Sequence, residues 1–154
     1  MKKKVYRDVL GQDDDEYFSD SYPYKEVDDI VYEIEGKYIP KEDSEDPNEK
    51  VINVIAGHGL IESSYDKKQY VNHIKGYMKA LKGYLEKENP ERVADFQKKA
   101  EGFVKKVIGD FDNYQFYTSK NINSNLMVVL CKWASDGQSM QFYVWKDGVV
   151  GEKY

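Results

Sequence analysis

Cysteine is almost missing. Cys131 stands alone among 154 residues, which rules out an intrachain disulfide and every zinc pattern built on paired thiols. A lone thiol inside an apolar run reads as packed and inert, and the near-absence of cysteine fits a reducing, cytoplasmic home. Arginine is equally scarce. Only Arg7 and Arg92 occur, so the basic residues are almost all lysine, and without Arg forks to read base edges no nucleic-acid partner is expected. No apolar run approaches the roughly 20 residues that cross a bilayer. The basic start, Met1 to Arg7, has no apolar stretch behind it, so neither a membrane span nor a signal peptide is expected. Gly36-Lys37 and Gly83-Tyr84 lack the spacing and the hydroxyl of a phosphate-binding loop. Histidine occurs twice. His58 lies between two glycines with no second histidine or thiol beside it, so it reads as structural rather than as a base or ligand, and no enzyme activity is expected. His73 falls off the apolar stripe of its helix and reads as a surface residue.

What is present suits one domain over residues 1–154, long enough to bury roughly 70% of its unfolded surface. The apolar fraction is 40%, supplemented by fourteen tyrosines whose rings bury well with their hydroxyls at the edge. The net charge of −5 is unevenly spread. Residues 1–50 hold 8 Lys/Arg against 16 Asp/Glu, whereas residues 66–109 hold 11 against 6. An acidic front beside a basic middle gives opposed surface potentials that orient charged partners on encounter.

Apolar spacing divides the chain into β, α and β stretches. Val5 to Leu10 opens as a strand and runs into the acidic turn Gln12 to Glu16. Pro23 stops any helix from continuing through the residues that follow. Val31 to Glu35 alternates apolar and charged, Gly36-Lys37 reads as a hairpin turn into Tyr38-Ile39, and Pro40 to Lys50 reads as a mobile acidic loop with nothing to bury. Val51 to Ala56 resumes strand character, with a bulge or a close backbone approach at Gly57-His58-Gly59. From Ser64, capped by Ser63 or Ser64 with Asp66 in the first turn, Tyr70, Val71, Ile74, Tyr77, Met78, Leu81, Tyr84 and Leu85 make one helical stripe. Asn89-Pro90 restarts the chain as a second helix, whose stripe runs from Val93 to Ile108 and ends at Gly109. Two antiparallel helices over 64–109 with so short a link pack side by side and cover a sheet. Phe111 to Tyr117, Leu126 to Trp133 and Met140 to Trp145 return to β pattern, followed by a short tail. The fold class is therefore α+β: a mainly antiparallel β core, a protruding two-helix antiparallel hairpin and a short mobile acidic loop.

The run Asp13-Asp14-Asp15-Glu16 lacks the alternating oxygens and central glycine of a calcium loop. Four consecutive acids cannot all face one ion, so no cofactor is required and any Ca²⁺ binding is weak. Beside Tyr17 and Phe18 the same turn suits protein contact, with charge for steering and aromatics for anchoring. Asp14, Asp15, Glu16 and Tyr17 are the candidate partner-binding residues.

Eight segments in order carry a resemblance: Tyr6-Arg7-Asp8, Glu16 to Asp20, Glu33 to Lys37, Ile74 to Lys79, Pro90 to Val93, Asn113 to Tyr117, Lys146-Asp147-Gly148 and Glu152 to Tyr154. The chain resembles the translationally controlled tumour protein family nearly end to end. The resemblance implies a fold similar to that of a small zinc-containing Rab-binding protein, and a cytoplasmic, non-enzymatic interaction protein linked to growth control and survival. It implies binding to a Ras-like small GTPase of the Rheb type through Glu16, with promotion of nucleotide exchange. Alternatively, it implies a calcium-binding, microtubule-associated factor that contacts tubulin through the hairpin. Three departures stand out. The acidic loop is short and lacks the family signature. Thr118-Ser119-Lys120 replaces a Gly-Glu. Pro23 occupies a segment that relatives present as a short helix to anti-apoptotic partners. The sequence also ends in Tyr154 without the terminal cysteine of some relatives, which implies a monomer with no disulfide-linked dimer.

Overall fold

The computed structural model describes residues 4–11, 15–20, 22–41, 45–46, 48–119, 126–134, 137 and 139–153. In chain order, β1 (Lys4–Asp8) and β2 (Glu16–Ser19) precede β3 (Tyr24–Val27) and β4 (Val31–Pro40). Next come β5 (Lys50–Ile52), the short helix α1 (Asn53–His58), β6 (Ile61–Ser63), α2 (Lys67–Glu88) and α3 (Val93–Gly109). The chain closes with β7 (Gln115–Thr118), β8 (Val129–Trp133), β9 (Ser139–Trp145) and β10 (Val149–Lys153). A large antiparallel sheet has the order β3-β4-β9-β8-β7-β6, with β5 added on β4, and a small sheet has the order β10-β1-β2.

Both helices of the hairpin bury the centre of the stripe their spacing predicts, while Val71, Met78 and Tyr84 of α2 and Val93, Val104 and Ile108 of α3 are half-buried at its edges. Tyr70, Ile74, Tyr77, Leu81 and Leu85 of α2 are buried, as are Phe96, Ala100, Phe103 and Val107 of α3. Phe103 sets its ring 5.3 Å from Trp145 and 6.0 Å from Tyr143, which seats the hairpin on β9. The first helix starts later than the serines suggest. Asp66 is the cap: its carboxylate accepts from Gln69 N at 2.7 Å while Gln69 Oε1 accepts from Asp66 N at 2.9 Å. Asn89 gives no side-chain cap, and Pro90–Arg92 forms a tight 3-10 turn before α3 begins at Val93. His73 is half-buried rather than on the surface, stacked on Tyr77 and tilted against Tyr65, because aromatic neighbours on both sides offer its ring more than water does.

Several strand expectations are corrected. Gly36 is not a turn: β4 runs straight through it, paired to Met140 of β9. A Cβ at Gly36 would lie 2.6 Å from the Phe142 ring and 2.9 Å from Ile52 Cγ2, so glycine is needed for close approach inside the sheet. The strand expected over Val51 to Ala56 lasts only to Ile52. The chain then coils into α1, ended by Gly59 in the left-handed region at φ 65°, so of the bulge or close approach expected at these glycines only the close approach is found, at Gly57 against Tyr22. The acidic loop has firm stems, since Pro40 pairs with Lys50 and Lys41 N donates to Glu49 O at 2.9 Å. The tail is β10, paired along β1. Phe111–Asn113 is a 3-10 turn ahead of β7. Pro23 leads into an edge strand, so the segment after it is extended. The tyrosine expectation fails at two places. Tyr70 and Tyr77 are buried whole, and neither hydroxyl finds a hydrogen-bond partner.

One turn ties these parts together. Val27 O accepts from Ile30 N at 3.1 Å across Asp28-Asp29, both at positive φ of 54° and 57°. This is a hairpin turn usually given to Asn-Gly. Aspartate tolerates the left-handed region better than most residues, and here the surroundings over-determine it. Arg92 Nη1 reaches Asp29 at 2.7 Å, Lys99 reaches it at 2.6 Å, Lys146 also contacts it, and Lys106 meets Asp28 at 3.2 Å. Arg92 grips Asp147 as well, through Nη2 at 2.9 Å and Nε at 3.1 Å. A guanidinium at the bend of the helical hairpin therefore clamps the β3–β4 turn to the end of β9.

Hydrogen bonds from Lys146, Lys99 and Arg92 hold the Asp29 carboxyl far below the usual aspartate range. A depressed carboxylate contributes stability that is present above the ordinary value near 3.9 and lost as the pH falls through the lower folded value. Urea unfolding of Asp29→Asn should therefore show a deficit that persists from pH 7 to about 5 and vanishes in strong acid. Arg92→Ala should cost about 2–3 kcal/mol at pH 7, with Arg92→Lys recovering only part, because an ammonium cannot reproduce the fork.

Candidate functional site

Glu16 opens β2, opposite Arg7 of β1, beside a register shift between Tyr6 and Arg7 that re-aims the strand end. Its side chain is 26% exposed, and its partner is His58, whose Nδ1–H donates to Glu16 Oε1 at 2.9 Å. The His58 side chain is only 6% exposed. It is the last residue of α1, and the left-handed Gly59 after it stops the helix where the imidazole meets β2. Tyr22 lies edge-on to His58, with ring centroids 5.6 Å apart. Its phenol is pushed up by burial and then by the nearby Glu16 carboxylate. Gly57 permits this packing, since a Cβ there would strike the Tyr22 hydroxyl. While Nδ1 faces Glu16, the other ring nitrogen, Nε2, is buried and without a hydrogen-bond partner. His58 is therefore placed to orient Glu16 from the buried side.

The other candidates divide. Asp14 lies outside the described residues. Asp15 and Tyr17, expected on an exposed turn, are buried at 2% and 1%, and so is Phe18. Their polar atoms have better partners inside. Ser119 Oγ donates to Asp15 Oδ1 at 2.7 Å, and Tyr17 OH donates to Asp8 Oδ2 at 2.7 Å. Asp8 is fully buried and also accepts from Leu10 N at 2.9 Å and Met127 N at 3.0 Å. Desolvation raises the Asp8 carboxyl, while these three donors pull it back without cancelling the rise. Burial, and then Asp8, holds the Tyr17 phenol well above its ordinary range. Asp15 and Tyr17 are thus anchored in the interior, and of the described candidates only Glu16 keeps an exposed edge.

Sequence reasoning missed the Glu16–His58 pair, the supporting role of Tyr22, and the Asp8 network. The glycines around His58 were the one available signal, but its partner lies 42 residues upstream. Ser119, noted only as a departure from the family pattern, proves to be the hydroxyl that holds Asp15. Cys131 is buried, and burial pushes its thiol far up, as an inert core thiol requires. Among the described residues no helix is long and apolar enough to cross a membrane.

A model of the family described as translationally controlled tumour protein matches residues 3–150. The homologue from Schizosaccharomyces pombe is 39% identical, over 97% of this chain and 99% of its own. The one from Saccharomyces cerevisiae is 36% identical, over 97% and 98%. Among solved structures, the translationally controlled tumour-associated protein p23fyp of Schizosaccharomyces pombe superposes with a TM-score of 0.86 at 38% identity, covering 98% of this chain and 99% of its own. The Caenorhabditis elegans protein, solved by NMR, gives 0.74 at 26% identity, with 98% of each chain covered. With sequence likeness and fold agreeing from end to end, the chain belongs to the translationally controlled tumour protein family.

Proposed function

We propose that this protein is a non-enzymatic regulator linked to growth control, and that it docks a Ras-like small GTPase of the Rheb type through Glu16. One observation carries the reading. Glu16 is the described carboxylate of the acidic turn that keeps an exposed edge, and His58 fixes it from behind at 2.9 Å. A carboxylate held this way loses little side-chain entropy on docking and keeps its aim. Placed beside the nucleotide, it competes with phosphate and disturbs Mg²⁺, which favours release. Mixing the purified protein with a GDP-loaded Rheb-type GTPase should accelerate GDP release. Glu16→Ala should lose at least tenfold of that acceleration, and His58→Ala a smaller part. Unchanged release with wild type, or equal activity in Glu16→Ala, would refute the reading.

A second reading places tubulin on the hairpin. Lys75 and Lys79 of α2 make no ion pair or hydrogen bond among the described residues, so their charge is available to the acidic tails of tubulin. Such attraction is screened within about 8–10 Å at physiological salt. Co-sedimentation with microtubules should fall several-fold between low and moderate ionic strength. Salt-insensitive binding, or none, contradicts this reading.

A further inference from the structure

Between α2 and α3, on the face turned away from the sheet, runs an open trough of about 530 Å³. Its floor is apolar: Ile74 and Met78 from one helix, Phe96, Ala100 and Val104 from the other. Its rim is mainly basic, with Lys75, Lys79, Lys82 and Lys105 beside Gln97 and a single acid, Glu101. Lys82 and Lys105 have i,i+4 acidic neighbours, Glu86 at 4.0 Å and Glu101 at 3.2 Å, whereas Lys75 and Lys79 have none among the described residues. Like charges one turn apart mildly disfavour the helix that carries them, so two unpaired lysines above an apolar floor are not explained by the hairpin's own stability.

We infer that this trough receives an acidic amphipathic helix of a partner protein, a short apolar stripe flanked by Asp or Glu. Length supports a helix. From Phe96 to Val104 the floor extends about 12 Å along α3, and anchors at i, i+3 or i+4 and i+7 of a helix span about 11 Å. Shape supports it too. An open trough leaves one side of its occupant in water, which suits a helix that is apolar on one face only and would strand part of a bare acyl chain. Charge excludes a second copy paired through the same face, because a two-fold contact would set lysines against lysines. A disordered acidic tail would answer the lysines and leave the floor uncovered. The inference is independent of docking through Glu16, and it asks for more than the charge attraction of the tubulin reading.

Fluorescence anisotropy with the full chain tests it using three labelled 16-residue peptides. The first has Leu at i, i+3 and i+7 flanked by Glu, the second permutes the same composition to break the stripe, and the third is Glu-rich without Leu. The striped peptide should bind at least tenfold more tightly than either of the others. Lys75→Glu/Lys79→Glu should weaken it at least tenfold. Met78→Gln should weaken it several-fold, with thermal unfolding followed by circular dichroism confirming that both variants fold. Absence of binding, equal binding of the striped and permuted peptides, or indifference to charge reversal overturns the inference. So does preferential binding of the Leu-free peptide, displacement of the striped peptide by dodecanoate at equal concentration, or self-association in sedimentation that the charge reversal abolishes.

Discussion

Arg92 is the constraint on which the arrangement of parts depends. It sits at the bend between α2 and α3, where the chain reverses, and it binds two carboxylates from different strand connections, Asp29 and Asp147. Hydrophobic burial brings the hairpin to the sheet, because the stripes on both helices and the ring of Phe103 must leave water. That force is non-directional and would tolerate sliding. The planar guanidinium fork does not. Fixed hydrogen-bond geometry at one end of the hairpin converts a greasy contact into a set orientation, and Lys99 and Lys106 repeat the hold further along α3. The strained Asp28-Asp29 turn survives because four cations stand around it.

From that fixed frame the two candidate docking features follow separately. The small sheet and α1 meet at Glu16 and His58, far along the chain from the hairpin, and the buried Asp8 and Asp15 lie close by in the interior. The hairpin shows its apolar stripe to the sheet, and the outer edge of that stripe, where Met78 and Val104 are half-buried, opens as a shallow valley under lysines. One region is acidic and the other basic, as the uneven charge of residues 1–50 and 66–109 requires. Both rely on rigid elements rather than loops, which favours precise placement of a few groups over adaptable contact.

Much of this was legible in the residues. The two helical stripes, the break at Asn89-Pro90 and the hairpin of β8 and β9 all follow from spacing, because their periodicity is long and their partners are near in sequence. What could not be read depended on distant contacts. Gly36 looks like a turn until Phe142, more than a hundred residues away, is seen to need the space its Cβ would fill. Asp28-Asp29 looks like two surface acids until Arg92 and Lys146 arrive. Tyr17 and Asp15 were placed outside because they adjoin an acidic run, yet Asp8 and Ser119 offer them buried partners. Glu16 keeps an exposed edge at the start of β2, but the histidine that steadies it was invisible as a partner in one dimension.

If Arg92 is the lock, hairpin and sheet behave as one body. Native-state amide hydrogen exchange measures this directly. In the wild type, the slowest amides of α2, α3, β4 and β9 should share one opening free energy. In Arg92→Ala, those of α2 and α3 should open at distinctly lower free energy while β4 and β9 lag behind. If the helices of the wild type already open well before the sheet, and removing Arg92 leaves that gap unchanged, the clamp does not organise the molecule.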